Sequence, residues 1–213
     1  MANNMRIYTM LVAGLILLAG CAGSGSATRH ARVEPMPSGI SVDSMYNCTV
    51  PVSFGTGDFD WSGNSLSLTV YSALRYDAAD VVLLQTGDTI VYEGGKPLPI
   101  DSIERRDQYV IINGGIETGG VELTPSGGGT YRATTMDDHS VYRKLGKRKV
   151  RLARDFVMID CGVNPTDPND TIRTAQKEYL GKLDSYRREF SPIDTQARIA
   201  NGEIKEIRRH WIP

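Results

Sequence analysis

Histidine and cysteine are scarce in this chain, with three of each in 213 residues. No H-E-x-x-H pair, G-x-S-x-G elbow or phosphate-binding glycine loop occurs, which disfavours the commoner metal- and serine-dependent hydrolases. Sites assembled from distant residues escape that test. An excess of positive charge is also lacking: 24 basic against 25 acidic side chains give a formal net charge of −1, the wrong balance for a nucleic-acid-binding domain. The apolar run Met10 to Leu18 is too short to cross a hydrocarbon layer that needs roughly 20 apolar residues. Long helical periodicities alternating with strands are missing too, which argues against a parallel βαβ architecture.

What stands at the amino terminus is more specific. Arg6 precedes the apolar run, and the run ends in Leu18-Ala19-Gly20-Cys21. Small residues at a cleavage point after a short apolar core mark a processing segment. This arrangement resembles the lipobox of bacterial lipoproteins. The resemblance implies removal of residues 1–20 and acylation of Cys21, with diacylglycerol (palmitate among its chains) on the thiol and often a further chain on the new amino terminus. Two or three chains, at about 0.8 kcal/mol per buried methylene, make attachment stable where one would not. The implied location is the cell envelope: the periplasmic face of the outer membrane in a diderm host, the outer face of the plasma membrane in a monoderm. Cleavage after residue 20 removes only Arg6 among the charged groups, leaving 193 residues and a formal charge of −2.

Residues 21–42 then read as a flexible tether. Gly23, Ser24, Gly25 and Ser26 are followed by Arg29, Arg32, Pro35, Pro37 and Gly39, with no apolar period to bury. Residues 43–213 read as one β-rich domain. With Cys21 consumed by lipid, Cys48 and Cys161 form an even pair in an oxidising compartment and are expected to be disulfide-bonded. A loop on the order of 100 residues would contribute about 4.7 kcal/mol in the chain-entropy model.

From Cys48 onward the apolar period is two. Thr49 to Phe54 and Leu66 to Tyr71 alternate, with Gly55, Gly57, Gly63 and Asn64 between them. Asp77 to Leu84 predicts one or two helical turns, followed by strands at Thr89–Tyr92, Leu98–Ile103, Tyr109–Ile112, Val121–Leu123 and Thr130–Ala133. Three more are expected at Val141–Leu145, Lys149–Leu152 and Phe156–Ile159. Short strands with glycine turns give the fold class: mainly β, an antiparallel barrel or sandwich. A C-terminal helix is predicted over about 170–190, capped by Asp170 or Thr171 and ended by Pro192. Asn201-Gly202 marks a terminal β-hairpin.

Candidate sites are few. Asp58, Asp60 and Ser62, followed by Gly63, match the first half of a calcium loop, but Thr69 stands where a bidentate Glu is required; a turn between strands is the simpler reading. Asp137-Asp138-His139 could relay a proton or form part of a metal site, yet no nucleophile motif accompanies it. No cofactor and no catalytic residue is assigned. The basic cluster Arg143, Lys144, Lys147, Arg148, Lys149, Arg151 and Arg154 could present cations from one strand face to anionic headgroups or an acidic polymer; it equally suits a solvated strand edge. Tyr71, Tyr76, Tyr92, Tyr109, Tyr131 and Tyr142 could line a concave surface, although alternation makes half-buried strand residues the first expectation.

The sequence therefore points to a membrane-anchored envelope lipoprotein acting as an interaction or binding module, with an envelope protein or anionic polymer as partner, no nucleic acid, and an oligomeric state left open. Two alternatives stand beside it: a carrier of a small apolar or amphiphilic ligand in a barrel cavity, and an envelope hydrolase.

Overall fold

The computed structural model describes residues 30–107, 109–161, 164, 166–167, 169–174 and 190–212. The expected signal segment and Cys21 lie outside them. The body is mainly β, as the alternation predicts. Its first strands are β1 (Arg32–Val33), β2 (Cys48–Ser53), β3 (Phe59–Asp60) and β4 (Ser65–Ala73). An excursion follows: β5 (Arg75–Asp77), helix α1 (Ala78–Leu83), β6 (Thr89–Val91), β7 (Pro97–Pro99), β8 (Ile103–Arg106), β9 (Tyr109–Ile112), β10 (Val121–Pro125) and β11 (Thr130–Thr134). The chain then returns through β12 (Tyr142–Asp160), β13 (Ile172–Thr174), β14 (Thr195–Ala200) and β15 (Glu203–Arg209).

Five of these strands close a ring. β2 pairs β4, β4 pairs the first half of β12, β12 pairs β15, β15 pairs β14, and β14 pairs β2. Within the barrel the ring order is therefore first, second, third, fifth, fourth, a five-stranded Greek-key barrel of the OB type. Closure runs through a parallel pair, β12 with β15, where the sequence had suggested only antiparallel neighbours. The strands expected at Val141–Leu145, Lys149–Leu152 and Phe156–Ile159 are a single strand, β12. It can serve two neighbours because it bends, with register breaks between Lys144 and Gly146 against β4 and between Leu152 and Val157 against β15.

Alternation along the strands fills the barrel. Val50, Val52, Leu66, Leu68, Val70, Met158, Ala197, Ile204 and Ile207 are all buried. At one end of the barrel, Trp61 stacks on Phe59 at 4.7 Å, Phe59 meets Phe54 edge-on at 5.7 Å, and Phe54 stacks on Phe190 at 4.3 Å. The Arg209 guanidinium lies 4.7 Å from the Phe190 ring centroid and donates from Nε to Asp160 Oδ1 at 2.7 Å and from Nη2 to Oδ2 at 2.5 Å. Both partners of this bidentate pair are fully buried, so each charge depends on the other.

The excursion between β4 and β12 makes a second core. An antiparallel sheet in the order β5-β11-β10-β9-β8 and the smaller sheet β1-β6-β7 bury Tyr76, Ile90, Ile100, Ile112, Val121 and Leu123. Asp77 caps α1 by accepting from the Ala79 N–H at 2.8 Å. Of the two alternatives in the sequence the barrel occurs, and the insert adds further sheets beside it.

Three expectations need correction. The tether is not free over its whole expected length. Residues 32–33 form β1, parallel to β6, Val33 is buried in the second core, and Ile40 and Val42 pack on the barrel. The helix expected from residue 170 does not start there. Ile172–Thr174 pair with β12 as β13, and the rest of that prediction, residues 175–189, lies outside the described residues. Cys48 and Cys161 are free. Cys48 sits opposite Ile199, whereas the Cys161 N–H donates to the carbonyl of Arg209, which faces Thr195. From Ile199 to Thr195 along β14 is about 13 Å at ~3.3 Å per residue, beyond the Cα separation of about 7 Å that a disulfide spans.

Candidate functional site

The calcium candidate and the basic cluster turn out to face each other. The turn after β2 brings Asp58 and Asp60 beside β12, where Lys147 Nζ bonds Asp58 Oδ1 at 2.8 Å and Lys149 Nζ bonds Asp60 Oδ2 at 2.7 Å. The other carboxylate oxygens are also engaged: Asp58 Oδ2 accepts from the Gly55 N–H, and Asp60 Oδ1 from the Ser62 hydroxyl and the Gly63 N–H. Burial alone would raise the Asp58 pKa, but the Gly55 N–H and Lys147 hold it below the usual carboxylate range. Asp60 is held far below that range by Lys149, Gly63 and Ser62. Protein donors thus occupy all four carboxylate oxygens of the calcium candidate in this structure. No group of three or more His, Cys, Asp and Glu placed to hold a metal occurs among the described residues.

The seven basic residues do not form one strip. Arg143 Nη2 donates to the Met36 carbonyl at 3.0 Å and Arg148 Nη1 to the Val42 carbonyl at 2.5 Å, so these two fasten residues 36–42 to the barrel. Lys147 and Lys149 are neutralised as above. Lys144, Arg151 and Arg154 are exposed. Lys147 and Lys149 are thus balanced by carboxylates of the chain, whereas Arg143 and Arg148 spend donors on carbonyls that carry no net charge.

Asp137-Asp138-His139 forms the tight turn after β11. Asp138 takes a positive φ of 57° and bonds Arg132 Nη2 at 2.7 Å, while the His139 N–H donates to Thr135 Oγ1. That is a turn with a structural role, and its Asp137 borders a further surface feature.

This feature is a cleft of about 530 Å³ between the barrel and the inserted sheets, in the size range of ligand sites, roughly 300–1,000 Å³. Three tyrosines from three elements enclose it: Tyr71 on the outer face of β4, Tyr142 at the start of β12, and Tyr92 after β6. Tyr71 is oriented by a 3.0 Å hydrogen bond between its hydroxyl and Ser53 Oγ. Burial raises the pKa of Tyr142, and burial followed by the Glu93 carboxylate raises that of Tyr92; both stay neutral donors at physiological pH. Thr134, Thr135 and Ser140 add hydroxyls, Glu93 and Asp137 supply the charged groups among the described lining residues, and Met136 and Ile193 stand 67 % and 41 % exposed at the rim. An aromatic, hydroxyl-rich and acidic-edged cleft can stack on planar or apolar groups and accept hydrogen bonds from cations.

The six tyrosines divide: Tyr71, Tyr92 and Tyr142 line the cleft. Tyr76 is a core residue whose hydroxyl donates to the Val91 carbonyl at 2.8 Å, Tyr131 packs on the second core, and Tyr109 lies beside Arg106. Ser191-Pro192-Ile193, which form one wall of the cleft, carried no signal beyond a helix stop. No family model, curated protein or solved structure matches this chain.

Proposed function

We propose that this chain is a bacterial envelope lipoprotein, acylated at Cys21, whose body binds a segment of a partner protein in the cleft between barrel and insert. The lipobox-like Leu18-Ala19-Gly20-Cys21 supports the anchor. The cleft carries the binding reading: three half-buried tyrosines with exposed Met136 and Ile193 at its rim are an arrangement that a purely structural junction between two cores does not need. Glu93 and Asp137 favour a segment bearing Lys or Arg next to an apolar side chain. They disfavour an acidic polymer.

The test is photo-crosslinking of the full-length chain in its native host, with p-benzoylphenylalanine in place of Met136 and, as control, in place of Tyr46, which is 59 % exposed beside the β14–β15 turn. A protein adduct from Met136 that is absent from Tyr46, and is lost with Tyr142→Ala, is the expected result. Equal adducts from both positions, or adducts only to lipid or small molecules, would overturn the cleft reading. An unmodified Cys21 in the mass spectrum of the mature protein would overturn the anchor.

A further inference from the structure

Helix α1 exposes two adjacent aliphatic side chains, Val82 at 63 % and Leu83 at 77 %, between the buried Val81 and Leu84. Nothing in the fold requires them to be apolar. Arg105 fixes their backbone, its Nη2 donating to the carbonyls of Val81 at 3.3 Å, Val82 at 3.2 Å and Leu84 at 2.6 Å. Three carbonyls of the apex are thereby satisfied within the protein, which lowers the cost of entering a medium that offers no hydrogen bonds.

The amino-terminal chain starts from the same place. The Asp88 carboxylate accepts from the Ala31 N–H at 2.7 Å and from the Gln85 N–H at 2.9 Å, and Gly87 sits so close to the His30 ring that a Cβ there would strike the imidazole. His30 thus lies against the loop that begins two residues after Leu83. From Cys21 to His30 the covalent chain spans at most about 30 Å, so a lipid on Cys21 would hold the α1 end of the body within that distance of the bilayer.

We infer that the Val82–Leu83 apex is a membrane-docking surface, which inserts its two side chains into the interfacial layer of the bilayer that holds the Cys21 lipid. This rests on the lipoprotein reading above. A shallow apolar apex of this kind adds to the lipid anchor and fixes orientation, so the tyrosine cleft is presented at a defined angle to the membrane.

The experiment uses the full-length lipidated protein in vesicles of phosphatidylethanolamine and phosphatidylglycerol with brominated acyl chains. Leu83→Trp and, as control, Tyr46→Trp are compared with the parent, whose Trp61 and Trp211 set the background. The expected result is loss of the added emission for Leu83→Trp and none for Tyr46→Trp, with Val82→Asp in the Leu83→Trp background restoring it. Equal quenching of both probes would overturn the apex, as would none in either. A blue shift of Leu83→Trp without bromine quenching would overturn it too, since a second copy of the chain would then cover the patch. Protein that fails to partition with vesicles at all would instead sink the anchor.

Discussion

Lys149 Nζ and Asp60 Oδ2 lie 2.7 Å apart across the junction of β12 and the turn after β2, with Lys147 and Asp58 repeating the relationship at 2.8 Å. Each pair consumes one residue from each of two motifs that looked functional when read separately. The double substitution Asp58→Asn and Asp60→Asn should release both lysines and strengthen retention on heparin at low salt, an effect that disappears as salt screens it. Unchanged elution would mean the pairs do not mask the strip.

Acid should act on the same turn. Both carboxylates titrate below their unfolded values near roughly pH 4, so the stabilisation they supply is complete above that pH and is lost as pH falls through the folded values. Glu104 with Arg106 and Asp155 with Lys205 are lowered for the same reason. Urea midpoints measured from pH 6 down to 2 should fall only in the acidic limb, and Asp60→Asn should flatten part of that fall without abolishing it.

Two free thiols should be countable. Alkylation of unreduced, unfolded protein is expected to modify both Cys48 and Cys161, with no gain on adding reductant. In the folded state Cys48 should react slowly, because burial raises its pKa despite the opposing charge of Arg148. A mass consistent with an internal disulfide would contradict the strand positions reported above.

The Asp160–Arg209 pair is expected to show the asymmetry of a buried ion pair. Arg209→Met leaves a carboxylate without its main counter-charge and should cost about 3–5 kcal/mol in chemical denaturation. The double variant Asp160→Asn with Arg209→Met should recover part of that loss. If the single and double variants were equally destabilised, packing on Phe190 rather than charge would dominate.

Much of the local structure was legible because it is written in local terms. The alternation of Leu66, Leu68 and Val70 predicts β4 with its inner face, Asp77 announces the cap of α1, and Asn201-Gly202, with φ of 54° and 74°, forms the turn its sequence implies. The misses share a cause. β12 looked like three strands because its bends interrupt the alternation at Leu145 and again around Arg154-Asp155, whereas its continuity comes from two different neighbours. Ile172 carried helical spacing, but an edge of β12 was available to pair with it. Pro and Gly hid the docking of residues 30–42, which proceeds through isolated contacts of Val33, Ile40 and Val42 and not through a period. Cysteine parity encouraged a bond that the barrel geometry forbids. The tyrosines stand out in the sequence, but which of them share a cleft does not, since Tyr71, Tyr92 and Ile193 meet only when barrel and insert are placed side by side.

The departure and return of the inserted sheets carry a consequence of their own. Ala73 and Tyr142 are register partners, and the Leu74 N–H donates to the Val141 carbonyl at 2.8 Å, so the intervening segment begins and ends at one point on the barrel rim. The barrel is in this sense a socket. What is plugged into it can be trimmed or enlarged without breaking the ring of strands, and because one wall of the tyrosine cleft belongs to the plug, such a change would reshape the cleft while leaving the scaffold intact.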